Sequence, residues 1–345
     1  MKRRNFLKST LGSVAVATAL TSSAMAQDVT LRMHSFLPPV ATLPSKIMKP
    51  FADSVAEATG GAVQVQQFDS MSLGGRPAEL IDQARDGVAD IVLTLPGYTP
   101  GRFPRSEVFE LPFMMTNPVA ASRAFQTMIE EDFQNNEYAD YKILAAWVHG
   151  PGVIHSKTPI NNLDDMAGQT LRGPTRIINE LLSELGAEPV GMPVPAVPEA
   201  LSKGVIGGTV IPWEVTASLR LTELVENHTV FSGDRALYTA VFVLAMNKTK
   251  YDSLSDEVKA SLDEVIGVEL AASSAATMLE ADAPAREIAV SAGSNIITLD
   301  EAEVARWKEA AQPVIDRWIV EMNEKGIDGQ ALIDRAQALI AEYDS

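Results

Sequence analysis

Four histidines, no cysteine, and one arginine set between an apolar residue and a Gly-Pro turn (Leu171-Arg172-Gly173-Pro174) carry most of the chemistry in this 345-residue sequence. Without cysteine, the chain has no thiol catalysis, thiolate metal site or disulfide. No Gly-x-Ser-x-Gly elbow, His-Glu-x-x-His pair, P-loop or EF-hand loop occurs. Gly150-Pro151-Gly152 begins like a dinucleotide fingerprint, but His155 stands where the third glycine belongs, and the segment reads as a rigid loop. His149 and His155 flank that turn at a spacing that would hold a metal only by accident of folding. Either residue lines a cleft as a hydrogen-bond donor or is satisfied in the interior. The carboxylates fall mostly on predicted helix surfaces, and no pair of titratable groups is set up for acid and base roles. No catalytic residue, metal or cofactor is expected.

What remains is binding chemistry. In open α/β sheets, ligands sit beyond the carboxyl ends of the strands. Phe36-Leu37 follows a predicted strand over 29–34, Pro96-Gly97-Tyr98 follows one over 90–95, and Arg172 closes a stub over 170–172. Pro212-Trp213-Glu214 follows a strand over 205–211. These segments converge on one cleft if two halves of the chain face each other. Partly buried, the Arg172 guanidinium needs an anion, and a bidentate carboxylate matches its fork best. The alternative is an internal salt bridge to Asp or Glu. Arg176, one turn further on, reads as solvent-facing. Trp213 is either plain core or the wall of a site for a ring.

The elements that must position these residues alternate. A strand over 29–34, a helix over 45–58, a strand over 63–68, a helix over 76–87 and a strand over 90–95 predict a parallel α/β sheet. A second unit repeats the order, with strands over 142–148, 153–156, 170–172 and 205–211 and helices over 176–185 and 197–203. A β-prone run covers 237–246, and a long helix over 255–286 is expected to stop or kink near Pro284. A helix over 300–325 with a break at Pro313 and another over 330–343 complete the chain. The halves should meet near 148–153 and 230–240.

With 28 basic and 45 acidic residues the net charge is −17, which argues against nucleic acid as a partner. The first 26 residues nevertheless carry Lys2, Arg3, Arg4 and Lys8 and no acid. A short apolar run over 11–20 and Ala24-Met25-Ala26 follow, so the segment reads as an export signal with a twin-arginine start. The apolar run is too short to span a bilayer, which takes about 20 residues. An exported, soluble, acidic protein is expected.

Several short motifs, in order, have a familiar spacing: Leu73-Gly74-Gly75-Arg76, Asp86-Gly87-Val88-Ala89-Asp90, Glu110-Leu111-Pro112-Phe113 and Gly168-Gln169-Thr170-Leu171-Arg172. Leu185-Gly186-Ala187-Glu188-Pro189-Val190, Met192-Pro193 and Lys203-Gly204-Val205-Ile206-Gly207-Gly208 continue the series. With them the chain resembles the solute-binding proteins of TRAP (tripartite ATP-independent periplasmic) transporters, of the C4-dicarboxylate-binding DctP type. The resemblance implies an α/β, two-lobed periplasmic binding protein fold with discontinuous domains, crossing strands and a long interlobe helix. Lobe I would comprise 27–150 plus about 237–295, and lobe II 151–236 plus about 296–345 with the C-terminal helices, after a signal peptide over 1–26. It also implies a periplasmic, non-enzymatic protein that captures a small organic acid and delivers it to a small and a large integral membrane subunit.

The family's carboxylate-binding arginine matches Arg172. A second arginine common in the family is here Gly152, an asparagine before the proline is here Ile211, and the aromatic after Met-Pro is here Val194. These exchanges leave one clamp and an apolar body, since a second buried carboxylate without a counter-charge would cost several kcal/mol. The expected ligand is a monocarboxylate with an apolar or aromatic body, benzoate-like. Phe36, Leu37, Trp213 and Tyr238 would surround its ring, and Tyr98, His149 or His155 would reach ring hydroxyls. Leu73, Gly74 and Glu214 complete the expected pocket. The alternatives are C4-dicarboxylate binding, an ABC-importer binding protein, a sensor domain for the same acid, or a secreted acid/base hydrolase or lyase.

Overall fold

The computed structural model describes residues 29–345, so the export signal expected over 1–26 lies outside the described residues. Strands β1 (Val29–His34), β2 (Val63–Phe68), β3 (Ile91–Thr94) and β4 (Tyr141–Val148) belong to a first sheet. Strands β5 (Val153–Ser156), β6 (Thr170–Gly173), β7 (Glu188–Gly191), β8 (Gly208–Ile211) and β9 (Asn227–Phe231) belong to a second. The chain then returns to the first sheet as β10 (Val241–Asn247) and ends in the second as β11 (Asn295–Leu299). The strand orders are β2-β1-β3-β10-β4 and β11-β9-β5-β8-β6-β7. β1 runs parallel to β2 and β3, as the alternation of strands and helices predicts, while β10 lies antiparallel between β3 and β4. The backbone passes between the sheets at 149–152 and 232–240, the two places read from the sequence, and a third time after β10.

That third passage is helical. Helices α1 (Lys49–Ala58), α2 (Leu80–Arg85) and α3 (Pro118–Glu131) accompany the first sheet, and α4 (Arg176–Glu184), α5 (Val197–Ser202) and α6 (Trp213–Ser218) the second. After the short α7 (Lys248–Asp252) and α8 (Asp256–Asp263), α9 (Val268–Ser291) packs on α3 and β4 at one end and on α6 at the other. The expected continuous helix over 255–286 is therefore two helices. Gly267 adopts φ +80° and its N–H donates to Leu144 O in β4 at 2.8 Å, which pins the chain to the sheet and interrupts the helix. Pro284 does not stop α9, because both it and Glu280, whose carbonyl loses its donor, face solvent. Likewise α10 (Glu301–Glu324) runs unbroken through Pro313. α10 packs on α4, while α11 (Gly329–Tyr343) packs on α3, so the last helix lies against the first-sheet side. α3 is absent from the elements read off the sequence, although Asn117 caps it through Val119 N–H and Pro118 opens it.

Among the described residues no helix is long and apolar enough to cross a membrane. Trp147, Trp307 and Trp318 are among the largest fully buried side chains, and Arg172 stands beside them in that group. A guanidinium in that company needs an explanation.

Candidate functional site

Between the sheets lies a narrow, mostly apolar cavity, the kind of lining that small-molecule sites have. Its walls come from strand ends. From the first-sheet side, Phe36 and Leu37 follow β1, Leu95 and Tyr98 follow β3, and His149 follows β4. From the second, Arg172 and Pro174 end β6, Val194 follows β7, and Val210, Ile211 and Pro212 end β8. Tyr238, Ala240 and Phe242 line the approach to the antiparallel β10, so the same edge of the sheet is reached from the strand's other end.

Arg172 is 1 % exposed. Its Nε donates to Met192 O at 2.8 Å and Nη1 to Val210 O at 3.4 Å, carbonyls that the flanking strands β7 and β8 bring to it. Nη2 has no protein partner. No carboxylate within salt-bridge distance pairs with this guanidinium among the described residues, so the internal ion pair weighed from the sequence does not form. Burial alone lowers its pKa, and Tyr98 and Tyr238 beside it oppose that effect. The Tyr98 hydroxyl accepts from Val194 N–H at 3.1 Å across the two sheets, which leaves its hydrogen free to donate. The Tyr238 hydroxyl is buried with no partner among the described residues. Burial raises the pKa of both phenols, which keeps them protonated donors. A guanidinium N–H and a phenol without acceptors, with a second phenol able to donate, thus face one space. Buried donors are nearly always paired, so such a set calls for an anion.

Gly152 makes the arrangement possible. A Cβ at this position would collide with the edge of the Tyr238 ring. No side chain, and no arginine, coexists there with Tyr238 as it stands.

Of the residues expected at the site, Phe36, Leu37, Tyr98, His149, Arg172, Val194, Ile211 and Tyr238 line the cavity. Five do not. Leu73 and Gly74 lie in a turn folded back on β1, where Leu73 N–H donates to His34 Nε2 at 3.3 Å. Trp213 opens α6 facing away from the cavity, edge-on to His155 at 5.0 Å and in a satellite cluster with Val153, Ala285 and Ala289. His155 Nε2–H donates to Ile211 O at 3.0 Å, which makes its Nδ1 the acceptor from His228 Nδ1–H at 2.6 Å. Burial drives this pair down to about 3 and about 4, so both rings are neutral supports behind the wall. Glu214 is drawn behind His149, whose Nε2 it meets at 2.9 Å. Among the described residues no group of three or more His, Cys, Asp or Glu is arranged for a metal.

Phe242, Ala240 and Val215 were missed. The alternation 238, 240, 242 was the available signal for the first two, because one strand face repeats every second residue. Arg176, read as solvent-facing, instead bonds Glu107 Oε2 at 2.6 Å, joining α4 to the turn over Ser106–Glu110. Next to that contact, burial pushes Glu110 up to about 8.

The family model for bacterial extracellular solute-binding protein, family 7 (DctP), matches residues 36–321. A TRAP solute-binding protein from a marine metagenome, specific for aromatic acid ligands and solved with 3-hydroxybenzoate, is 45 % identical. The likeness covers 92 % of this chain and 100 % of that one, with a TM-score of 0.90. A TRAP solute-binding protein from Rhodoferax ferrireducens, solved with copurified benzoate, is 43 % identical at a TM-score of 0.90, covering 92 % of this chain and 98 % of that one. The outer membrane transporter protein TsaT of Comamonas testosteroni is 26 % identical over 95 % of this chain and 97 % of its own length.

Proposed function

The chain belongs to bacterial extracellular solute-binding protein family 7, the DctP family of TRAP solute-binding proteins, and on that premise we propose that it captures a benzoate-like aromatic monocarboxylate between its two sheets. The carrying observation is the unpaired Arg172 Nη2 in an otherwise apolar slot, with the unpaired Tyr238 hydroxyl in the same wall. One carboxylate would satisfy both and accept from Tyr98 as well. The rest of the lining, from Phe36 to Phe242, offers area to an apolar body. The two relatives above, solved with benzoate and with 3-hydroxybenzoate, support this class of ligand.

Capture would proceed without bond-making. Ligand held between lobes stabilises the form that encloses it in proportion to its preference for that form. We take the lobes as 27–150 with 237–295 and 151–236 with 296–345, hinged at 149–152 and 232–240, with α11 at the end of the second reaching back onto α3 of the first. In this reading the protein works in the periplasm and hands the acid unchanged to the transporter's membrane subunits.

Calorimetric titration tests the reading. Benzoate should bind and succinate should not, because among the described residues Arg172 is the only Lys or Arg lining the cavity and a second carboxylate would be buried unpaired. Binding of succinate in place of benzoate would refute it.

A further inference from the structure

Among the described residues four polar side chains line the cavity: Arg172, Tyr98, Tyr238 and His149. Three of them form one group, since the side chains acting on the Arg172 guanidinium are Tyr98 and Tyr238. His149 is not one of that group and has contacts of its own. Its ring lies edge-on to Phe242 at 5.1 Å, and its Nε2 meets Glu214 Oε1 at 2.9 Å. Its backbone is held on both sides, by its own N–H to Ala240 O and by Thr239 Oγ1 to its carbonyl, each at 2.8 Å. Glu214 is itself fixed, its N–H donating to Asp282 Oδ1 on α9 at 2.8 Å. The imidazole is therefore pinned by four elements, and its other nitrogen, Nδ1, makes no hydrogen bond to the protein among the described residues.

We propose that His149 is a specificity-determining residue that reads a hydroxyl on the ligand ring through Nδ1, so that the preferred ligands are hydroxylated aromatic acids rather than benzoate itself. This rests on the reading of Arg172 as the carboxylate clamp. The chemistry follows from the Glu214 contact. A carboxylate accepts from Nε2–H, so in the neutral ring Nδ1 carries the lone pair and takes the proton of a phenol. The other candidates for this role are occupied. Tyr98 is committed to Val194 N–H and the Arg172 group, and His155 is consumed by Ile211 O and His228. Glu214 acts as a positioning residue, selecting the tautomer and the ring plane.

The test compares the affinity of each hydroxybenzoate isomer with that of the fluorobenzoate substituted at the same position, because fluorine is of similar size and cannot donate. One isomer should bind about 3- to 10-fold tighter than its fluoro counterpart, the range for one net hydrogen bond. His149→Gln places an amide donor where Nε2 was, keeping Glu214 paired, and removes Nδ1. With its own benzoate affinity as the reference, it should lose the hydroxyl preference. His149→Asn puts a polar atom near Nδ1 and should keep part of it. Equal affinity of every hydroxy and fluoro pair for the wild type overturns the proposal, as does a preference that persists in His149→Gln. In both of these outcomes benzoate binding stands and so does the clamp. A folded wild type that binds no aromatic acid removes the clamp and this inference together.

Discussion

Replacing Tyr238 by Phe should raise or leave unchanged the stability of the ligand-free protein while weakening ligand binding. The hydroxyl is buried and partnerless, so no bond is lost when it is removed. An unpaired buried polar group costs about 1–3 kcal/mol, which is the most the substitution can return. The ring remains, so the space kept clear by Gly152 stays filled and no void opens. In the complex the same hydroxyl, held as a donor by a pKa that burial raises, would donate to the ligand carboxylate. A hydrogen bond to a charged group is worth about 1.5–3 kcal/mol, or roughly 10- to 150-fold in Kd. Thermal unfolding without ligand and calorimetry with benzoate read the two effects on one preparation. The reasoning fails if Tyr238→Phe binds benzoate as tightly as the wild type, or if the ligand-free protein loses more than about 1 kcal/mol, the net worth of one hydrogen bond.

Three further outcomes follow from the same geometry. Arg172→Met should abolish the stabilisation by benzoate, about 2.7 kcal/mol at a hundred times Kd, yet leave the ligand-free protein at least as stable, since a buried cation without an acid is gone; a thermal-shift series reads both. Gly152→Ala should destabilise by about 1–3 kcal/mol in denaturant titration, because the new methyl overlaps the Tyr238 ring; combined with Tyr238→Ala its cost should shrink. Glu110, raised to about 8 by burial, binds a proton in the folded state that the unfolded chain releases above its ordinary carboxylate value of 4.5. Its contribution to stability is therefore present at low pH and lost as pH rises from 4.5 towards 8, at up to about 1.4 kcal/mol per pH unit. Glu110→Gln, which keeps an acceptor for Val241 N–H, should flatten that slope in unfolding measured between pH 5 and 8.

The sequence was most legible where local pattern and tertiary role coincide. Arg172 could be singled out because it sits between a buried leucine and a Gly-Pro turn at a strand end, where solvent cannot reach. The strand-end rule also located Phe36, Leu37 and Tyr98 correctly beside the cavity. It failed for Trp213, whose position in sequence says nothing of its rotamer. The residue after Pro212 begins α6, and the ring turns to the buried His155–His228 pair rather than to the slot. Prolines misled in α9 and α10, because exposure of the freed carbonyl, a tertiary property, decides whether a helix breaks. The true interruption, at Gly267, depends on a bond to Leu144 more than a hundred residues away.

The exchange of Gly152 with Tyr238 explains how one pocket can change its ligand class without losing its clamp. An arginine at 152, which the family resemblance leads one to expect, would bring a second charge; Tyr238 occupies that space and brings a neutral donor instead. In the proposed complex a first carboxylate would still meet Arg172 and two phenols. A second carboxylate would find mostly apolar walls and no second arginine or lysine among the described lining residues. Because burial of an unpaired ion costs several kcal/mol, whereas a hydroxyl needs only one lone pair, the same steric choice that admits Tyr238 would, on the proposed reading, turn the pocket from diacids towards monoacids with an aromatic ring.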